Sequence, residues 1–176
     1  MKKTFKMMMA AVMTMAMVGF VACSKDDDKK TDEPQQQTYE ESTTFEILYH
    51  GQAVAAGATV EYTLTQEEID NDDSDAEFFV KNKSNATVQR VFKVELTEGP
   101  ASMGVDAPIC YGVCEPHNLP YTSNAIDLAP GTDEKAIQIH LYPSFHEGAH
   151  TGTYKVTVGK GANLEDPQVF FLKFNW

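Results

Sequence analysis

The chain has 176 residues, of which 42% are hydrophobic, and its formal net charge is −12. Its 26 Asp and Glu outnumber its 14 Lys and Arg, so it lacks the basic surface that nucleic acid or an anionic bilayer would attract. This balance excludes nucleic acid as a partner.

The first 22 residues have the composition of a secretory signal peptide. A basic start, MKKTFK, is followed by sixteen residues without charge, which are too few to span a bilayer as a permanent helix. We predict that residues 1–22 are removed. Because they hold three lysines and no acidic residue, the remaining chain has eleven basic and 26 acidic residues and a net charge of −15.

A cysteine stands directly after this apolar run. Val21 and Ala22 precede Cys23, an arrangement that resembles the lipobox of bacterial lipoproteins, although Phe20 stands where that pattern favours Leu. The resemblance implies that Cys23 becomes a lipidated N-terminus, since several acyl chains give a stable anchor whereas one chain is marginal. The alternative is a secreted protein with an odd cysteine.

A polar segment, residues 23–43, follows the signal. It is acidic and rich in glutamine and has little to bury, which predicts a flexible tether. Its start, SKDDD at residues 24–28, resembles the signal that sends lipoproteins of Bacteroidetes-type bacteria to the outer face of the outer membrane. The resemblance implies a lipid-anchored protein at the cell surface, and the alternative is a solvated spacer.

Residues 44–176 have the length of one domain and are dominated by alternation of apolar and polar residues. The alternating segments are 60–64, 87–96, 136–142, 153–158 and 169–176. Glycine, proline and aspartate lie between them, and residues 66–71 offer the one candidate helical turn. This pattern predicts an all-β fold, an antiparallel β-sandwich, in which Arg90 shares a face with apolar residues.

Cys110 and Cys114 are the cysteines that remain once Cys23 is lipidated. In an exported chain, two cysteines separated by three residues with Gly112 between them predict a structural disulfide. So small a loop constrains little of the unfolded chain, so we expect the bridge to stiffen a bend. The alternative is a redox dithiol, but such pairs usually have two intervening residues at a helix N-terminus.

Two polar clusters offer ligand atoms for metals. His140, His146, Glu147 and His150 could supply nitrogen and oxygen to zinc, but a proline and a glycine among them predict a solvated loop. The acidic run at residues 70–75 could hold calcium, but it lacks the glycine and the distant glutamate of a helix-loop-helix calcium site, so we expect a solvated turn. We therefore assign no metal, no cofactor and no catalytic residue.

The late motif GTYKVTV, at residues 152–158, looks like the end of an immunoglobulin-like domain. In such folds a tyrosine at the start of the penultimate strand packs its ring inward, and its hydroxyl bonds to nearby backbone. We expect Tyr154 to take this position.

The succession CYGVCEP, LAPGT, HLYP and GTYKVTV, within residues 88–158, resembles an immunoglobulin-like domain of exported Bacteroidetes proteins. The resemblance implies an immunoglobulin-like sandwich and an extracytoplasmic location. It implies no reaction, because most members of that family have no assigned activity.

We therefore expect a surface-anchored lipoprotein whose sandwich binds a ligand or takes part in envelope assembly, since such frames present loops for recognition. Its partners would be the membrane, through lipid on Cys23, and a glycan or an envelope protein. The alternative is an extracytoplasmic enzyme, either a thiol oxidoreductase using Cys110 and Cys114 or a metal-dependent hydrolase.

Overall fold

The computed structural model describes residues 37–133, 135–146 and 148–176. The predicted signal peptide, the lipid attachment site at Cys23 and most of the predicted tether lie outside the described residues. Within the described part, no helix is both long enough and apolar enough to cross a membrane.

The described domain consists of β-strands with one α-helix and two 3₁₀ turns. The strands are β1 Phe45–Tyr49, β2 Gln52–Val54, β3 Thr59–Thr63, β4 Ala76–Asn82, β5 Val88–Glu98, β6 Ala107–Cys110, β7 Cys114–His117, β8 Tyr121–Thr122, β9 Ile126–Leu128, β10 Gly131–Thr132, β11 Ile137–Ile139, β12 Thr151–Lys160 and β13 Glu165–Asn175. The helix α1 is Gln66–Asn71, and the 3₁₀ turns are Ala101–Gly104 and Pro143–Phe145.

The strands form two sheets. The first has the order β2-β1-β4-β11-β6-β7, with β10 also paired to β4, and the second has the order β3-β13-β12-β5-β8, with β9 beside β5. The strand pairs are antiparallel except for β3 and β13, which run parallel. The predicted all-β, immunoglobulin-like sandwich is confirmed.

The core lies between the facing sides of the two sheets, where alternation brings the apolar residues together. Phe78 of β4 and Phe170 of β13 are both fully buried, and their ring centroids lie 4.7 Å apart. Large aromatic side chains contribute most to the apolar area that such a core removes from water. These contacts fix how the two sheets face each other.

The helical turn predicted at residues 66–71 is confirmed as α1. Thr65 caps its N-terminus: the threonine hydroxyl accepts a hydrogen bond from Glu68 N, and the Glu68 carboxylate accepts one from Thr65 N. This reciprocal capping box satisfies backbone donors that a six-residue helix would otherwise leave free. The helix therefore starts at a defined residue. The acidic run, residues 70–75, follows from its last turn and leads into β4 of the first sheet.

Contacts with the sandwich begin upstream of β1. The ring of Tyr39 packs edge-on against Phe171 at a centroid distance of 5.7 Å. Ser42 is buried, and its backbone N–H donates to the side-chain oxygen of Gln168 at 2.8 Å. The packed part of the chain therefore starts at Tyr39, a few residues before residue 44, where we predicted that the domain begins.

Candidate functional site

A cleft of about 470 Å³ opens between the 3₁₀ turn Ala101–Gly104, strand β6 and the segment that follows β11. We call it the apolar cleft. It is lined by Ser102, Met103, Val105, Asp106, Ala107, Pro108, His140, Leu141, Tyr142, Phe145 and His146.

One side of the cleft is an extension of the first sheet. The backbone N–H of His140 donates to the carbonyl of Pro108 at 3.0 Å, which continues the pairing of β11 with β6. Further along, Phe145 is 69% exposed and forms an edge-on pair with Tyr142 at 5.9 Å. Val105 on the opposite side is 58% exposed, so two large apolar side chains line the cleft and face solvent.

Tyr154 fixes the 3₁₀ turn that forms the other side. Its ring is buried, and its hydroxyl donates to the carbonyl of Met103 at 3.0 Å. The expectation for Tyr154 is thus confirmed, with a backbone partner that is 51 residues away in sequence. A Cβ atom on Gly152 would lie 2.1 Å from Met103 Sδ, so a larger residue at this position would force the Met103 side chain to move.

His146 is 8% exposed, so the prediction that the whole histidine segment is solvated is wrong at this residue. Its Nδ1 lies 2.9 Å from the hydroxyl of Ser102, which joins the two sides of the cleft. Burial lowers the pKa of His146, and the nearby Asp72 offsets only part of this shift. The imidazole is therefore uncharged at neutral pH.

The acidic run at residues 70–75 also does more than form a solvated turn. Asp72 ends α1 with a left-handed backbone, and its carboxylate accepts a hydrogen bond from Ser144 N at 2.7 Å. Asp73 Oδ1 lies 3.3 Å from His140 Nδ1. The run therefore holds the segment that borders the cleft.

Cys110 and Cys114 face each other where β6 ends and β7 begins. Their Sγ atoms are 1.93 Å apart, which is bonding distance and supports the predicted disulfide. Gly112, with φ of 76°, makes the turn between them. The bridge closes the β6–β7 hairpin. Cys110 is buried and Cys114 is exposed at the surface.

The residue between Cys110 and Gly112, Tyr111, covers a buried cation. Arg90 is 1% exposed, and its guanidinium carbon lies 4.1 Å from the centroid of the Tyr111 ring. Arg90 Nη1 is 2.8 Å from Asp133 Oδ2, the distance of an ion pair, although no N–H of Arg90 is aligned with a described acceptor. The Tyr111 hydroxyl donates to the same oxygen at 2.9 Å.

The structure brings together a different set of possible metal ligands from the one that the sequence suggested. His150 is exposed, and Glu147 lies outside the described residues. Over the described ranges, the one group of His, Cys, Asp and Glu with ligand atoms within 4.8 Å of one another is Cys110, Cys114 and His140. From the sequence, the cysteines and the histidines were considered as separate motifs. They come together only because β11, which precedes His140, pairs with β6, which ends at Cys110.

No protein-family model and no curated protein matches this chain. Among solved structures, the N-terminal domain of PorA superposes with a TM-score of 0.52 at 18% identity, over 74% of this chain and 96% of that one. A protein of unknown function from Porphyromonas gingivalis W83 gives a TM-score of 0.41 at 11% identity, over 80% of this chain and 50% of that one. A PapD-like domain of human CEP192 gives 0.38 at 11% identity, over 85% and 96%.

Identities this low show the fold alone. The described part of the chain is therefore an immunoglobulin-like β-sandwich, and its function has to be argued from its own residues.

Proposed function

We propose that this chain is an exported, lipid-anchored binding module whose apolar cleft holds an apolar group with a positively charged end. The observation that carries the proposal is the cleft itself, a concave site of about 470 Å³ with mostly apolar lining and few polar groups. Sites for small ligands usually have this character. Export, the anchor on Cys23 and the surface location are supported by the sequence of residues 1–28.

The apolar part of the ligand would contact Val105 and Phe145. These two side chains are 58% and 69% exposed, and exposed large apolar residues that lie close together are typical of interaction sites. Val113 is equally exposed at 69%, but it lies on the β6–β7 turn and does not line the cleft. It therefore provides a matched control for simple surface hydrophobicity.

The charge of the residues around the apolar cleft indicates that the other end of the ligand is positively charged. Asp106 lines the cleft, and among its described lining residues there is neither Lys nor Arg. Asp72 and Asp73 contact the segment that borders the cleft. A cation is attracted by this field and an anion is repelled, and the uncharged His146 can accept a hydrogen bond from an ammonium group.

Two probes that share a phenyl ring and differ in charge test the proposal. Phenethylammonium should shift the backbone amide resonances of cleft residues in ¹H–¹⁵N spectra, whereas 3-phenylpropionate should leave them nearly unchanged. Phe145→Ala and Val105→Ala should each weaken the response, because each removes apolar contact area.

Val113→Ala should respond to phenethylammonium as the wild type does. If this variant loses binding as much as Phe145→Ala, the apolar cleft is not the site. Equal binding of the anion would contradict the assignment of ligand charge.

A further inference from the structure

Cys110, Cys114 and His140 form a cluster of possible metal ligands at the β6–β7 hairpin. His140 Nε2 is 3.9 Å from Cys114 Sγ, and the ligand atoms of Cys110, Cys114 and His140 all lie within 4.8 Å of one another. Two sulfurs and an imidazole nitrogen form a donor set that soft or borderline divalent cations prefer. The three residues between the cysteines fall within the spacing that zinc-binding cysteine pairs use.

Asp73 orients the imidazole of His140. Its Oδ1 lies 3.3 Å from His140 Nδ1, so the Nδ1–H donates to the carboxylate and the lone pair of Nε2 faces Cys114. A disulfide sulfur carries no proton that could meet this lone pair. A carboxylate behind a histidine is the arrangement that holds metal-ligating imidazoles in place.

We propose that reduction of the Cys110–Cys114 bridge converts this hairpin into a zinc(II) site, with the two thiolates and His140 Nε2 as ligands. A dithiol supplies two electrons, breaks the S–S bond and becomes a disulfide itself, which leaves two thiols on the protein. Zinc(II) then displaces the two thiol protons as two Zn–S bonds form. Asp75, whose Oδ1 lies 3.9 Å from His140 Nε2, or water completes the four ligands.

The arrangement of the hairpin allows the first step. Cys114 is exposed whereas Cys110 is buried, so an incoming thiolate meets the sulfur of Cys114. The bridge spans only three residues, and so small a loop contributes little to the stability of the oxidised form.

The charge around the cluster favours a cation over a reactive thiolate. Asp73 and Asp75 both lie within 4.0 Å of His140, so two carboxylates border the cluster. Reactive thiols occur instead in electropositive surroundings. The same carboxylates attract zinc(II), so this inference differs from a thiol oxidoreductase and does not depend on the proposed ligand of the apolar cleft.

The test uses the full chain with Cys23→Ala, in which the hairpin supplies the only two thiols. After anaerobic reduction with dithiothreitol and its removal, cobalt(II) serves as a spectroscopic probe. The reduced protein should bind one equivalent, with the intense thiolate-to-cobalt band of a tetrahedral site, and zinc(II) should displace it. The oxidised protein should show no band.

Variants decide which side chains are ligands. His140→Ala should abolish the tetrahedral signal, and Asp73→Asn should weaken cobalt binding about 10- to 100-fold, as expected for a residue behind a ligand. His117→Ala is the matched control, because His117 lies in β7 of the same hairpin, stacks on Tyr121 at 3.6 Å and should not affect binding. Circular dichroism of each oxidised variant checks the fold.

Two results would overturn the proposal. One is a reduced protein that gives no cobalt band at equimolar metal. The other is a band that is the same in His140→Ala as in the parent chain, since two thiols on an unfolded hairpin would produce it without the site.

Discussion

His146 is a histidine that the fold keeps uncharged. It is almost fully buried, its Nδ1 is 2.9 Å from the Ser102 hydroxyl, and burial lowers its pKa below the ordinary 6.5. The unfolded chain therefore binds a proton at this residue at a higher pH than the folded chain. The contribution to stability is complete above about pH 6.5 and is lost as the pH falls towards the lower pKa of the folded state.

We expect the melting temperature to fall as the pH is lowered from 7.5 to 5.5, and His146→Gln to show a smaller fall. Glutamine retains a polar group for Ser102 but does not titrate. Thermal unfolding at a series of pH values measures this, with His150→Gln as a control because His150 is exposed. An unchanged pH dependence in His146→Gln would show that another group is responsible.

Arg90 is the most deeply buried charged residue in the described part of the chain. Burial lowers its pKa, while Tyr111 and Asp133 act in the opposite direction and keep the guanidinium charged. Asp133→Ala should lower the free energy of unfolding by about 3–5 kcal/mol, because it leaves a buried charge without its partner. Arg90→Met should cost less, since it removes the charge and keeps an apolar side chain of similar length.

Urea denaturation of the two variants measures the difference. Tyr111→Phe should lie between them and the wild type, because it removes one hydrogen bond worth about 1 kcal/mol and keeps the ring over Arg90. An equal loss in Arg90→Met and Asp133→Ala would mean that packing, not charge pairing, determines the effect.

Sequence patterns located these residues but not their partners. Alternation placed Arg90 on an apolar face, and the motif around Tyr154 predicted a buried ring, because both signals are local. Asp133 and Met103 come into contact with them only through the pairing of distant strands. The cleft was therefore not predictable, since no local pattern distinguishes Ser102 or Met103.

At the scale of elements, Asp166 of β13 holds the segment that leads into β1. Both carboxylate oxygens of Asp166 accept hydrogen bonds from the backbone and hydroxyl groups of Thr43 and Thr44. Burial acts to raise the pKa of Asp166, but these four bonds outweigh it and lower the pKa to about 2. Asp166 has a φ of 49°, a conformation that asparagine tolerates better than most residues.

Asp166→Asn should keep the backbone conformation and weaken the attachment of β1, at a cost of about 1 kcal/mol once solvent screening is allowed for. The charged form contributes stability above the unfolded pKa of 3.8, and this is lost as the pH falls through about 2. Acid unfolding between pH 4 and 2 should therefore be less steep in the variant.

Hydrogen exchange gives an independent measurement of the same attachment. The amides of Thr43, Thr44 and Phe45 should exchange faster in Asp166→Asn. If they keep the protection of the wild type, the four hydrogen bonds do not control how β1 is held.

The two sheets differ in how far the sequence predicted them. The second sheet contains β3, β5, β12 and β13, which coincide with the predicted segments because their alternation is long and regular. The central strand of the first sheet, β4, has buried residues at every second position but follows directly after the acidic run and ends in a buried asparagine. The strands β8 to β10 have two or three residues each, too few for a period to be detected.

At the scale of the whole molecule, the proposed membrane attachment depends on one residue, Cys23. Without the predicted signal peptide, residues 1–22, the chain would have a net charge of −15 and an acidic segment before the sandwich. Such a chain is repelled by an anionic lipid surface. Attachment would therefore depend on lipid at Cys23, since acyl chains contribute about 0.8 kcal/mol for each buried methylene.

We accordingly expect Cys23→Ala to move the protein from the membrane fraction to the supernatant, without a change in the thermal unfolding of the sandwich. Immunoblots of salt-washed membranes from cells that express each form measure the distribution. The double variant Cys110→Ser with Cys114→Ser is the control, because it removes the other two cysteines and should stay with the membrane. If Cys23→Ala still sediments with washed membranes, attachment is due to another part of the chain and the lipoprotein assignment is wrong.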